Sequence, residues 1–187
     1  MEEYLELLQD VSGRAGEVRF ATETVAAQAR EHGIVMLSHD DTSAEMRTGY
    51  RQLGARIAEF PLNFQTVESA SAAGDVVVLG APNVVRGGSH NGAISAEEAI
   101  RRKQCHVLAS DYYYPSLRYA ALKLAREGVL SFEAAWSLVS ATPAQAAGLY
   151  DRGTLAVGKR ADIIIVHEHS QQVVHSFSNG KSVFRAR

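Results

Sequence analysis

The sequence has a single cysteine, Cys105, which excludes a disulfide framework and a thiolate zinc site. It has no excess charge of either sign. Its 19 Lys and Arg stand against 21 Asp and Glu, and a formal balance of −2 leaves no electrostatic footprint for nucleic acid or an anionic membrane. No apolar run reaches the roughly 18 residues of a helical membrane span. Prolines number only four, and no Pro/Gly-rich linker, low-complexity tract or internal repeat interrupts the chain. The opening MEEYLELLQD is acidic and amphipathic, unlike a secretory signal, so a cytoplasmic protein is expected. What is present is a chain of 187 residues, 46% hydrophobic and 21% charged, long enough to bury one ordinary core.

Patterning predicts alternating elements. Residues 2–9 read as a short helix, and a second helix runs from about Arg19 to His32 with Gly33 as its stop. The apolar run Ile34–Ser38 reads as a buried strand. DTSAEMRTGYRQLG then reads as a helix capped by Asp41, Thr42 or Ser43 and closed by Gly54. ARIAEF is a short strand stopped by Pro61, NFQTVESASAAG a helix, and VVVLG a continuous β-branched strand. A loop over residues 81–94 leads to the helix SAEEAIRRKQ and the strand HVLAS. Strand–helix alternation with short connections predicts an α/β protein with a parallel sheet. From Pro115 the character changes. SLRYAALKLAREG and SFEAAWSLVSATPAQAAGL read as amphipathic helices, with Trp136 on the apolar stripe, and the chain ends in a small β element with a hairpin turn at Ser178–Lys181.

The candidate chemistry lies where strands end. Active sites of α/β barrels and open sheets gather at the C-terminal ends of parallel strands. Here those ends carry His39 with Asp40 and Asp41, Glu59, and Asp111. One imidazole with converging carboxylates has the composition of a divalent-metal site, while a hydrogen-bonded loop histidine and a helix-capping aspartate would look the same. The second constellation is GAPNVVRGGSHNG. Gly87 and Gly88 allow backbone N–H groups to turn inward as an anion nest, and Arg86 and His90 add positive donors beside it, a setting suited to phosphate. Neither a Walker motif nor G-x-G-x-x-G is present. Tyr112, Tyr113 and Tyr114 follow Asp111 as candidate pocket walls.

These pieces occur together in one known family. TPAQAAGLYDRGTLAVGKRADIIIVH resembles the C-terminal signature of the amidohydrolase superfamily, and LSHDD, AEFP, GAPNVVRGGSHNG and SDYYYPSL resemble successive motifs of its phosphonate-metabolism diphosphatases. The resemblance runs from about Arg19 to Arg187. It implies the C-terminal part of a metal-dependent (β/α)8 TIM-like barrel over residues 1–150, comprising its last three strands, plus a small β element over residues 151–187. It implies a divalent metal (zinc, manganese or iron) and a small phosphorylated substrate, α-D-ribose 1-methylphosphonate 5-triphosphate, from which pyrophosphate is released. His39 matches the metal-ligand histidine after the sixth strand. Asp111 matches the metal-site aspartate after the eighth, which orients or deprotonates the attacking water, so the two are expected on neighbouring strands. Arg86, Gly87, Gly88 and His90 become the phosphate-binding set, with Asp40, Asp41 and Glu59 as accessories. The family's earlier ligands have no counterparts here, which points to a fragment inactive alone, associating with itself or with a chain that supplies the missing barrel half. The alternatives are a deaminase or cyclic-amide hydrolase of the same superfamily, and a non-catalytic remnant that needs a partner chain.

Overall fold

A computed structural model of the chain describes residues 2–87 and 94–186. Two helices, α1 (Glu2–Gly13) and α2 (Ala15–Glu31), precede a regular alternation. It runs β1 (Leu37–His39), α3 (Ala44–Leu53), β2 (Ile57–Glu59), α4 (Phe64–Ala72), β3 (Val76–Gly80), α5 (Ala81–Arg86), α6 (Ala96–Arg101) and β4 (Val107–Ala109). Three helices of this alternation, α3, α4 and α6, start where a side chain satisfies an orphan amide. Ser43 accepts from the Met46 N–H, Asn63 from the Thr66 N–H, and Ser95 from the Glu98 N–H.

The four strands form one parallel sheet in the order β1-β2-β3-β4, registered Leu37 to Ile57, Ile57 to Val76 and Val78 to Val107. Strand order equals chain order, as in one arc of a β/α barrel. Four parallel strands are present, one more than the three expected. The core lies between the sheet and its helices, built from Val67, Val77, Leu79, Val84, Leu108 and Leu124 with many alanines between them.

Three other expectations are corrected. The strand predicted over Ile34–Ser38 is Leu37–His39, and Ile34 and Val35 lie outside it, 61% and 51% exposed. They flank an edge strand that has a neighbour on one side only, so they lack the cover a central parallel strand receives. The region predicted as a loop over 81–94 begins with α5, because Pro82 presets the first helical turn and Gly87, at φ +80°, closes it. The helix predicted over 131–149 is two: α8 (Phe132–Ser137) and α9 (Ala141–Ala146). Ser140 leaves helical geometry at φ −137°, ψ −76°, and the Thr142 hydroxyl donates to the Ser137 and His106 carbonyls across the break.

After β4 the chain continues through α7 (Ser116–Arg126), then α8 and α9, into an antiparallel sheet of β5 (Ile163–Val166), β6 (Val173–Ser178) and β7 (Lys181–Arg185). The β6–β7 turn has Asn179 and Gly180 both at positive φ, the two-residue hairpin geometry expected of Asn-Gly.

Candidate active site

Parallel pairing directs the strands one way, so His39, Glu59, Gly80 and Asp111 all come to the same rim of the sheet. Strain collects there. Asp40, Phe60 and Asp111, each just past a strand end, take left-handed backbone at φ +59°, +52° and +51°. Non-glycine residues held in that region cluster at functional sites, where surrounding bonds over-determine them. The bonds are present: the Asp40 N–H donates to the Glu59 carbonyl at 3.0 Å, and the Phe60 N–H to the Val78 carbonyl at 3.0 Å.

His39 is half exposed. Its Nδ1 lies 3.0 Å from the Asp40 carboxylate and its ring meets the Phe60 ring edge-on at 5.2 Å. A carboxylate on Nδ1 sets the tautomer that leaves Nε2 free as a ligand or base. Phe60 also forms part of the wall of a cavity of about 220 Å³, between the ends of β2, β3 and β4. Arg86, Asp111 and Tyr112 share that wall, and Arg86 Nη1 approaches the Tyr112 hydroxyl at 3.5 Å. A guanidinium and a carboxylate therefore face one small cavity at the strand ends, with His39 one aromatic ring away.

Two groupings come out differently from the sequence reading. His39 and Asp111 stand on β1 and β4, the opposite edges of the sheet and not neighbouring strands. Three inter-strand steps separate them, about 14 Å measured along the sheet. Gly87 is no anion nest, because its N–H is spent on the Asn83 and Val84 carbonyls at the end of α5. A Cβ there would meet Lys123 Nζ at 3.3 Å, and that lysine donates to the Val84 carbonyl at 2.9 Å. Gly88 and His90 lie outside the described residues. Asp41 is fully buried and serves the fold. It accepts from the Ser38 hydroxyl at 2.6 Å and pairs with Arg47 at 3.2 Å. Glu59 ends β2 half-buried. Among the described residues, no three His, Cys, Asp or Glu side chains gather as a metal cluster, so His39, Asp40 and Asp111 of one chain do not fit a resident divalent ion.

Sequence reading missed several anchors. Arg47, 1% exposed, donates to Ser38, Asp41 and the Ile57 and Ala55 carbonyls, and so holds the turn that presents His39. An arginine on a helix, nine residues from its hydroxyl partner, gives no local signal of this. Asn83 binds the Ile94 carbonyl and the Ala96 N–H through its side-chain amide, fixing the far end of the Gly-rich stretch. His106 immediately precedes β4, at the rim opposite the cavity, and its Nδ1 accepts the Val77 N–H at 3.1 Å. Burial holds its pKa below the ordinary histidine value, a structural and not a catalytic setting. The one H-x-H of the sequence, His167-Glu168-His169, follows β5 in the C-terminal sheet and not a parallel strand.

Comparison with known proteins agrees with this architecture. The Amidohydrolase family profile matches residues 112–184. Over 166 residues, 87% of this chain, the sequence is 40% identical to the α-D-ribose 1-methylphosphonate 5-triphosphate diphosphatase of Escherichia coli K12. The chain is similar to the amidohydrolase superfamily in sequence and in fold. It spans 44% of that relative's length. Solved amidohydrolase folds superpose on the same basis. N-acetylglucosamine-6-phosphate deacetylase of Thermotoga maritima gives a TM-score of 0.66 at 16% identity over 87% of this chain and 56% of its own. The ochratoxinase of A. niger gives 0.65 at 16% identity over 88% and 45%. The chain thus spans about half the length of each.

Proposed function

We propose that the chain carries the C-terminal part of a phosphonate-metabolism diphosphatase, a cytoplasmic hydrolase that releases pyrophosphate from α-D-ribose 1-methylphosphonate 5-triphosphate. Residues 1–150 are its share of the barrel and residues 151–187 its share of a β domain. The observation that carries this reading is the pairing of Arg86 and Asp111 on one cavity at the strand ends, in a chain 40% identical to a diphosphatase of that substrate. The guanidinium of Arg86 takes two oxygens of the phosphate chain in a charge-assisted fork. Water attacks the phosphorus nearest the ribose. The bond from that phosphorus to the next bridging oxygen breaks, and pyrophosphate leaves with the electron pair. Asp111 orients the attacking water and receives its proton.

Amidohydrolases generally use divalent metals, and His39 with Asp111 are the proposed positions for zinc, manganese or iron. Counted back from Asp111 on the eighth strand, His39 falls on the fifth and not the sixth. One chain does not assemble a ligand set, so no step is assigned to the ion. The test is reconstitution with the N-terminal half of the E. coli relative. Pyrophosphate release from the triphosphate, lost on Asp111→Ala and weakened on Arg86→Ala, is the expected result. Release of ammonia from a cyclic amide, with none of pyrophosphate, would replace this reading with the deaminase one.

A further inference from the structure

The cavity between the ends of β2, β3 and β4 is small and has two unlike ends. At about 220 Å³ it falls below the roughly 300–1,000 Å³ of pockets that bury a whole ligand. A triphosphate ester of a sugar is too large to enter entire, so only one end of it goes in. Leu79 and Ala96, 5% and 1% exposed, form the inner wall, while Tyr112, 72% exposed, stands at the mouth beside Arg86.

The lining decides which end enters. Phosphoryl oxygens are charged and strongly hydrated, and moving them against apolar rings is costly unless each is paired. Among the described residues of the wall, Arg86 and Asp111 carry the charge, and of these Arg86 alone is positive. Asn83 shares the wall with its amide fixed by the Ile94 carbonyl at 2.9 Å and the Ala96 N–H at 3.0 Å. That leaves it one N–H and one lone pair, which suit an uncharged hydroxyl. A furanose ring has C–H faces to lay on Phe60 and Pro82 and a hydroxylated edge for Asn83. We propose that this cavity is a pentose pocket, which takes the sugar ring and leaves the phosphate chain outside. The phosphorus nearest the sugar then lies at the mouth, between Arg86 and Asp111. The choice of a pentose rests on the diphosphatase reading.

Gly80 and Phe60 set the size of the pocket. Phe60 holds left-handed backbone at φ +52°, an outlier for a bulky residue, with its N–H fixed on the Val78 carbonyl at 3.0 Å. Gly80 ends β3 at φ −74°, ψ 122°, extended backbone that any residue adopts, so the chain path there does not call for glycine. A Cβ on it would meet Pro82 Cδ at 3.8 Å and Phe60 Cε1 at 4.0 Å, ordinary contacts at the cavity wall. The missing side chain therefore keeps volume open and does not serve a turn. Gly80 is a specificity-determining residue on this reading. It admits the sugar, and the two outer phosphoryl groups face solvent, so pyrophosphate leaves without crossing the pocket.

The test is one of binding to the full chain of 187 residues, with no metal and no turnover required. NMR titrations with ribose 5-phosphate and with inorganic phosphate compare the same anion with and without the sugar. Ribose 5-phosphate is expected to bind about tenfold tighter or more, an ordinary discrimination for a small pocket. Saturating the aromatic protons is expected to transfer magnetisation to the sugar C–H protons. Gly80→Ala adds a methyl that the fold accommodates, and Gly80→Val fills more of the space. The preference for the sugar phosphate is expected to fall stepwise in the two, with the circular dichroism of Gly80→Ala unchanged. Equal affinity for both ligands in the wild type, or an unaltered preference in every variant that folds, would overturn the pocket. Pyrophosphate release by the reconstituted enzyme without any pentose preference would overturn the pocket and leave the diphosphatase reading standing. A pentose preference without pyrophosphate release would do the reverse.

Discussion

Arg47 places a guanidinium between two buried carboxylates, Asp41 at 3.2 Å and Asp75 at 3.5 Å, with Arg51 pairing to Asp75 from the surface side. Removing one member of such a group costs more than the group contributes, because the remaining charges stay buried without a partner. Arg47→Met is expected to lower unfolding free energy by about 3–5 kcal/mol in urea titration. A loss below 1 kcal/mol would mean that the two aspartates are relieved by water. His106 gives a pH dependence. Burial lowers its pKa from 6.5, so below that value the unfolded chain takes up a proton that the folded chain resists. This contribution to stability is fully present above about pH 6.5 and is lost as pH falls through the depressed value. His106→Asn keeps an acceptor for the Val77 N–H and removes the titration. The stability slope just below pH 6.5 should flatten, and an unchanged slope would assign it to other groups. None of these roles was legible in the sequence, because each depends on a partner that the fold brings from a distant segment.

At the scale of elements, the turns hold the strictest geometry. Gly153 sits at φ +85° against the start of α9. A Cβ there would lie 2.8 Å from the Ala144 Cβ, 2.9 Å from the Ser140 carbonyl oxygen and 3.1 Å from the Ala141 Cα. Gly33, at φ +64°, faces nothing within 4 Å. Gly33→Ala should therefore cost only the left-handed backbone penalty, roughly 1–2 kcal/mol. Gly153→Ala adds an overpacking term of about 1–3 kcal/mol. Equal urea midpoints for the two variants would contradict this difference. Caps and turns were readable where they act locally: Ser43 and Ser95 begin their helices, and Asn179-Gly180 makes its hairpin. The break at Ser140 had a local signal in Pro143, which fits only the first turn of a new helix, while the bonds from Thr142 to Ser137 and to His106 that fix it depend on another element.

At the scale of the whole molecule, the arc of four strands limits what one copy can do. The cavity holding Arg86 and Asp111 is small, and His39 stands outside it, across the Phe60 ring on the edge strand opposite β4. The 187 residues alone, with added Zn²⁺, Mn²⁺ or Fe²⁺, are expected to release pyrophosphate well below about 1 s⁻¹, the low end of ordinary enzyme rates. Turnover at or above that rate from a verified monomer would show that a single copy assembles a working site from residues given other roles above.

The sequence by itself determined the alternation of strands and helices, the common direction of the strands and the gathering of polar residues at their C-terminal ends. These follow from local periodicity, caps and short connections, all written within a few residues of where they act. Tertiary structure alone decided which strands stand at the edges of the sheet. It decided that Asp41 belongs to the interior while Asp40 faces His39, and that the Gly87 amide closes a helix instead of holding an anion. Those outcomes turn on which distant groups meet. A backbone amide or a carboxylate has the same place in the sequence whether its partner is a ligand, a helix end or a buried arginine.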